Sequence, residues 1–237
     1  MPLLRSTHEI SAAQRHVRAL GLCEVPDERK TWDNLFAIET IRAMRLGPDE
    51  PIADLGCRSG IVLTWLDQLG YRQLYGCDLR RPFPPLRSAI VQGKLRTAAI
   101  GLRMYGRNRT RMCIAPAEQT PFPGGVFAAV TAMSVIEHGV ETSRFFAEAA
   151  RLLRPSGILV ISTDYWPQTV ATHGLRRFPH ARGADRVYTR DDIEVLITEA
   201  SERHLQPRET LDLETGEPVI DSDGLRYTFL VLSFIRE

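Results

Sequence analysis

Short apolar runs separated by amphipathic stretches fill most of the chain. Thr31 to Arg45 sets Trp32, Leu35, Phe36 and Ile41 near helical spacing, with Thr31 as its N-cap and Gly47-Pro48 as its stop. Pro51–Leu55 reads as a strand, Ile61–Leu69 as a helix closed by Gly70, and Gln73–Cys77 as a second strand. Arg111–Ile114 is a weak third strand and Phe127–Met133 a fourth. A helix from Glu141 to Leu153, a turn at Arg154–Gly157 and a fifth strand at Ile158–Thr163 follow. Thr189 and Asp192 are spaced as a capping pair for a helix that runs to His204. Residues 1–30 are polar, with two short periodic patches of helical character.

Strands that alternate with helices imply a parallel sheet covered on both faces. The end of the chain breaks that alternation. Glu209–Leu213 and Tyr227–Ile235 both read as strands, but the turn-rich segment between them has no helical pattern for a parallel crossover. The last strand is therefore expected to run antiparallel. No internal repeat is visible.

Composition narrows this only a little. The chain has 237 residues, 43% hydrophobic and 25% charged, which suits one globular domain and excludes disorder, collagen or coiled coil as its main character. Thirty Lys+Arg against 29 Asp+Glu leave a formal charge of +1, so bulk attraction to nucleic acid is not expected. No apolar run reaches the ~20 residues of a membrane span, and the polar start, with His8 and Glu9, does not read as a targeting segment. Four scattered cysteines, Cys23, Cys57, Cys77 and Cys113, form no C-x-x-C pair. They read as reduced, which points to a cytoplasmic location.

The chemistry concentrates at the first strand. In Pro51-Ile-Ala-Asp-Leu-Gly-Cys-Arg-Ser-Gly60 a strand runs into a glycine turn and then a helix. Gly56 permits close approach of a ligand to the backbone, and the helix start offers free N–H groups. Asp78 ends the second strand, 22 residues after Gly56. An acidic side chain at that distance can accept hydrogen bonds from ribose hydroxyls. Together these features indicate an adenosine-type nucleotide ligand.

Two further segments narrow the choice: Ala117-Glu118-Gln119-Thr120-Pro121-Phe122 with Phe127 to His138, and Leu152-Leu-Arg-Pro-Ser-Gly-Ile-Leu-Val160. With them, residues 50–165 resemble the class I S-adenosylmethionine-dependent methyltransferases, closest to the small-molecule group. The resemblance implies a Rossmann-like doubly wound α/β sheet of seven strands, with an antiparallel last strand, helices on both faces and S-adenosyl-L-methionine as cofactor. It implies that Asp54, Gly56, Cys57, Arg58 and Gly60 border the amino-acid end of that cofactor. Asp78 would hold the ribose, Leu79 the adenine face, and Ala117 and Glu118 the adenine edge. Ser134 would line the space between cofactor and acceptor. Arg58 departs from the pattern, standing where the family has glycine.

Methyl transfer from a sulfonium requires positioning of the acceptor, and a base when the acceptor is a hydroxyl or a protonated amine. His138, just past the fourth strand beside Glu137, is the leading base, since an imidazole titrates near neutrality. Glu137 and His138 alone make no metal site, and none is expected. Asp164 and His173, in the long segment after the fifth strand, are further catalytic candidates. Tyr165 and Trp166 in that segment, with Trp32 near the N-terminus, are candidate acceptor contacts. Each of these side chains also has a plain packing role open to it.

Arg80 to Arg111 carries nine Arg or Lys and no Asp or Glu. It reads as an enlarged basic helical insertion, either a solvated face or a surface for an anionic acceptor. The chain is thus expected to form one domain: an N-terminal helical cap over 1–46, a cofactor-binding core over 47–165 holding the insertion at 80–111, and an acceptor-side loop, helix and strand pair over 166–237. The function expected is methyl transfer from S-adenosylmethionine to a small-molecule or glycan-type acceptor. An RNA or nucleotide methyltransferase and a non-catalytic cofactor-binding protein are the alternatives. Membrane and nucleic acid are not expected as partners, and the pattern says nothing about oligomeric state.

Overall fold

The structure, a computed structural model, describes residues 2–25, 27–58, 60–80, 110–178 and 183–237. Most of the basic stretch at 80–111 lies outside the described residues. Eight strands are described: β1 (Ile52–Leu55), β2 (Leu74–Asp78), β3 (Thr110–Ile114), β4 (Phe127–Met133), β5 (Leu153–Tyr165), β6 (Leu205–Pro207), β7 (Ile220–Ser222) and β8 (Leu225–Arg236). Seven follow one another in the order β3-β2-β1-β4-β5-β8-β6, and β7 pairs off that path as a hairpin with β8. The strands from β3 to β5 pair in parallel, whereas β8 runs antiparallel to both β5 and β6. The sheet is therefore the expected doubly wound one with an antiparallel last strand, plus one strand more than the seven expected.

Among the described residues five α-helices cover it: α1 (Thr7–Ala19), α2 (Thr31–Ala43), α3 (Ile61–Gln68), α4 (Thr142–Leu152) and α5 (Arg190–Ser201). Helices α1 to α3 bury Val17, Ile38, Ile41, Leu63 and Trp65 against one face of the sheet. Helices α4 and α5 bury Phe145, Phe146, Ala149, Ile193 and Leu196 against the other. Neighbouring residues of β4 divide accordingly, Ala129 to the first face and Val130 to the second. That explains why β4 is apolar without alternation: both faces are inside. No helix among the described residues is long and apolar enough to cross a membrane.

Local chemistry sets the element ends. The Thr189–Asp192 capping box forms, with the Thr189 side chain accepting from the Asp192 N–H and the Asp192 carboxylate accepting in return. The start of α2 differs from expectation. A short 3-10 turn at Glu28–Lys30, capped by Asp27, leads directly into it, so Thr31 lies inside the helix and is not its N-cap. The expected turn at Arg154–Gly157 is instead an irregularity within β5, whose pairing with β4 jumps between Phe127↔Leu153 and Ala129↔Ile158.

The expected strand at Glu209–Leu213 is not one. The strand beside β8 is Leu205–Pro207, and Leu213 reaches the core from an irregular segment, where its carbonyl accepts the Tyr165 hydroxyl at 3.3 Å. Burial alone explains the apolar alternation of Leu211 and Leu213.

Candidate active site

In the order β3-β2-β1-β4-β5 the strand order reverses between the parallel strands β1 and β4, and the crevice at the carboxyl ends of those strands is where open α/β sheets bind ligands. The β1–α3 turn lies there. Gly56, Arg58 and Gly60 all have positive φ, 66°, 37° and 63°. The family's glycine at the middle position is thereby explained, because a side chain at positive φ costs about 1 kcal/mol. A Cβ on Gly56 would stand 2.6 Å from Val135 Cγ2. Gly56→Ala is accordingly expected to lower stability by roughly 2–3 kcal/mol, from backbone strain plus a clash in packed surroundings. Val135→Ala in the same chain should recover part of the loss in thermal melts. A Gly56→Ala protein that melts like the parent would contradict this geometry.

Asp78 closes the turn from the side. Its Oδ2 accepts the Arg58 N–H at 2.9 Å and its Oδ1 the Arg80 N–H at 3.2 Å. Each oxygen keeps further lone-pair capacity toward the crevice. Leu79, just past β2, and Ile114, the β3 partner of Asp78, are 42% and 66% exposed, an apolar shelf beside a carboxylate. Ala117 is buried, and the half-buried Glu118 accepts the Glu141 N–H at 3.4 Å. The Arg58 guanidinium lies 4.6 Å over the Phe178 ring. Cys57 is buried, and burial pushes its thiol well up.

Behind the turn, Asp54 is buried and its Oδ1 accepts the Thr131 hydroxyl at 2.7 Å. Burial, with Asp78 nearby adding to it, pushes its carboxyl up to about 7. A carboxyl raised on folding contributes stability at acid pH that is lost as pH rises through the raised value. Between pH 5 and pH 8 the parent should therefore lose thermal stability that Asp54→Asn, neutral throughout, retains. Identical slopes of Tm against pH in the two proteins would contradict this.

The ends of β4 and β5 hold a second group of polar side chains. Ser134 has φ 55°, and its Oγ lies 3.2 Å from Asp33 Oδ2, which also accepts the Ser162 hydroxyl at 2.8 Å. Lys30 donates to the same Ser134 hydroxyl and stands 3.7 Å over the Phe229 ring. Asp33, on α2, is fully buried, and that burial raises its carboxyl, with Lys30 opposing.

Glu137 and Asp164 are each 1% exposed. Burial first, and Asp164 second, push the Glu137 carboxyl well up. His138 Nδ1 lies 3.0 Å from Asp185 Oδ1 and its Nε2 3.9 Å from Glu137 Oε1. A carboxylate partner on Nδ1 places the ring proton there and leaves Nε2 as an acceptor facing Glu137. Burial lowers the imidazole below its ordinary value and the Asp185 contact opposes that, so His138 is neutral at physiological pH. Gly139 and Gly183 touch backbone to backbone beside it, since a Cβ on Gly139 would meet Gly183 N at 2.4 Å.

Not every expected site residue joins these groups. Trp32 is buried in the core with its ring 5.1 Å from Phe36. Tyr165 is fully buried on the α4–α5 face, where its hydroxyl is bonded to Leu213. Adjacent strand residues point oppositely, and so Asp164 faces the site while Tyr165 does not. Trp166 is half-buried, packed at the edge of the α1–α3 core, and its N–H donates to the Tyr188 carbonyl at 3.0 Å. His173 is exposed in a turn with φ 49°, and no hydrogen bond or ion pair among the described residues ties it to the others. Lys30, Asp33, Arg177 and Asp185, none of them named as site residues above, are brought in by the fold.

Residues 53–161 match the family described as "Methyltransferase domain". This region is a class I S-adenosylmethionine-dependent methyltransferase domain. A ubiquinone biosynthesis O-methyltransferase of Bradyrhizobium diazoefficiens is 33% identical over 135 residues, covering 57% of this chain and 46% of that protein. The chain thus aligns with less than half the length of this curated relative. Among solved structures, a geranyl diphosphate methyltransferase in complex with S-adenosylmethionine has TM-score 0.62 at 16% identity, over 99% of this chain and 97% of that one. Phosphoethanolamine N-methyltransferase 2 of Haemonchus contortus has TM-score 0.56 at 13% identity, over 86% and 52%. At these identities the likeness to the solved structures is one of fold.

Proposed function

We propose that this protein transfers a methyl group from S-adenosylmethionine to a hydroxyl of a small-molecule acceptor. The observation that carries the reading is the pairing, at the carboxyl ends of the central strands, of a glycine-flanked turn braced by Asp78 with a neutral histidine held by a carboxylate. The cradle residues suit the cofactor. Gly56 turns the backbone at positive φ at the end of β1, Asp78 offers two carboxylate oxygens for ribose hydroxyls, and Leu79 with Ile114 offers an apolar shelf for a flat base. S-adenosylmethionine, when bound, supplies a methyl group already activated on a sulfonium.

The protein's own part is positioning and proton removal. The turn at Gly56–Gly60 and the end of β4 hold the two reactants at neighbouring points. His138 Nε2 accepts the acceptor's hydroxyl proton as the new O–C bond forms, and Asp185 keeps the ring in the tautomer that can accept it. The names of the curated relatives, ubiquinone biosynthesis O-methyltransferases, support an oxygen acceptor on a small molecule.

Incubating the protein with methyl-labelled S-adenosylmethionine and a fractionated metabolite extract tests this. Label is expected in a small molecule whose new methyl is an ether, with S-adenosylhomocysteine formed in equal amount. Label only on nitrogen or carbon, or only in macromolecules, would contradict the reading.

A further inference from the structure

Strands β2 and β3 bring two thiols together beside the cofactor turn. Cys77 and Cys113 are register partners in the parallel pairing of these strands. Both side chains pack on the α4–α5 face of the sheet. Neighbouring strands stand about 4.8 Å apart, inside the roughly 4.4–6.8 Å between Cα atoms that a disulfide spans. β3 ends the strand order, so among the described residues one neighbouring strand alone holds it. Cys57 also touches Cys77, its backbone N–H donating to the Cys77 carbonyl at 3.0 Å, but its side chain packs on the opposite face. The two facing thiols differ in access: Cys77 is fully buried, whereas Cys113 is half-buried. A hydrogen bond from the Cys77 thiol pushes Cys113 below the ordinary thiol range and raises Cys77 well above it. A reachable thiol with thiolate character beside a buried second thiol is the arrangement in which one is oxidised and the other resolves it.

We propose that Cys113 and Cys77 are a peroxide-sensitive modification site whose oxidation to a disulfide weakens cofactor binding. The Cys113 thiolate attacks one oxygen of hydrogen peroxide. The S–O bond forms, the O–O bond breaks, and the departing hydroxide takes up a proton to leave as water. The Cys77 sulfur then attacks the Cys113 sulfur. The S–S bond forms, the S–O bond breaks, and the second hydroxide leaves as water with the Cys77 thiol proton. Two thiols and one peroxide thus give one disulfide and two waters. The effect on the cofactor rests on the reading of Asp78 as the ribose ligand. Cys77 directly precedes Asp78, and Cys113 directly precedes Ile114, the β3 partner of Asp78. Drawing Cys77 toward Cys113 turns the peptide that carries the Asp78 carboxylate. That carboxylate braces the turn through the Arg58 and Arg80 N–H groups, so its oxygens cannot move without loosening them.

The test treats the fully reduced full chain with an equimolar amount of hydrogen peroxide. Intact mass and a peptide map without reductant read the modification, and calorimetry with S-adenosylhomocysteine reads its effect. The expected product has lost two hydrogens and yields a cross-linked peptide pair joining Cys77 to Cys113. Its affinity for S-adenosylhomocysteine should be at least about 10-fold weaker than that of the reduced chain, and dithiothreitol should restore it. Cys113→Ser should bind like the reduced parent, which reports an intact fold, and should keep that affinity after peroxide. Cys77→Ala should stop at the Cys113 sulfenic acid, captured as an adduct by a 1,3-diketone. Cys23→Ser, remote from the pair, should oxidise like the parent. A disulfide between any other two cysteines, no disulfide at all, or a Cys77–Cys113 disulfide with affinity unchanged would each overturn the proposal while leaving the cofactor reading standing. Failure of the reduced parent to bind S-adenosylhomocysteine would overturn both.

Discussion

Replacing His138 by alanine is expected to lower kcat by about 10²- to 10⁴-fold while leaving cofactor affinity within a few-fold of the parent. The expectation follows from where the ring sits and what holds it. Nδ1 is committed to Asp185 and Nε2 faces Glu137, at the end of β4 where the proposed function would bring the acceptor hydroxyl. The parent should show kcat/KM falling as pH drops through a value below the ordinary ~6.5 of histidine, because burial lowers this imidazole more than Asp185 raises it. Protonated His138 has no free lone pair at Nε2, so the acid limb belongs to the base. Asp185→Asn removes a contact that raises the imidazole, and the limb should move to lower pH, with kcat reduced less than in His138→Ala. An acid limb that persists unchanged in His138→Ala would assign the base elsewhere.

Replacing Asp78 by alanine is expected to weaken S-adenosylmethionine binding by about 100-fold, from the loss of hydrogen bonds to an ionised acceptor worth roughly 2–3 kcal/mol together. The carboxylate now braces the turn through the Arg58 and Arg80 N–H groups, at 2.9 and 3.2 Å, as well as facing the crevice. Asp78→Asn separates these duties. Its single carbonyl oxygen can hold one N–H, so the turn loosens less, but the ribose loses the negative charge. Cofactor affinity in Asp78→Asn should therefore fall nearly as far as in alanine, while Tm stays closer to the parent. Affinity unchanged in both proteins would place the nucleotide elsewhere.

What could be read along the chain, and what could not, divides by range. The glycine turn and Asp78 were legible because each is a local device: positive φ at Gly56 and Gly60, and an acid at the end of a strand. The antiparallel last strand was legible from the lack of a helical crossover before it, although the strand that precedes it is Leu205–Pro207 and not Glu209–Leu213. The polar groups that complete the site come from far apart. Asp33 meets Ser162 across 129 residues, and His138 meets Asp185 across 47. No spacing rule announces such pairs. Trp32 and Tyr165 show the converse limit. Their positions next to Asp33 and Asp164 were found, but one residue along a helix or strand turns a side chain from the crevice into the core. The apolar alternation of Leu211 and Leu213 misled for a similar reason, since an irregular segment can bury alternate residues without pairing.

The central claim is that the crevice between Gly56 and Asp78 holds the cofactor. The most direct test is calorimetric titration of the purified chain with S-adenosylhomocysteine, parent and Asp78→Ala side by side. One saturable site in the parent, weakened by about 100-fold in the variant, is the predicted result. No binding to the parent at millimolar concentrations would contradict the account.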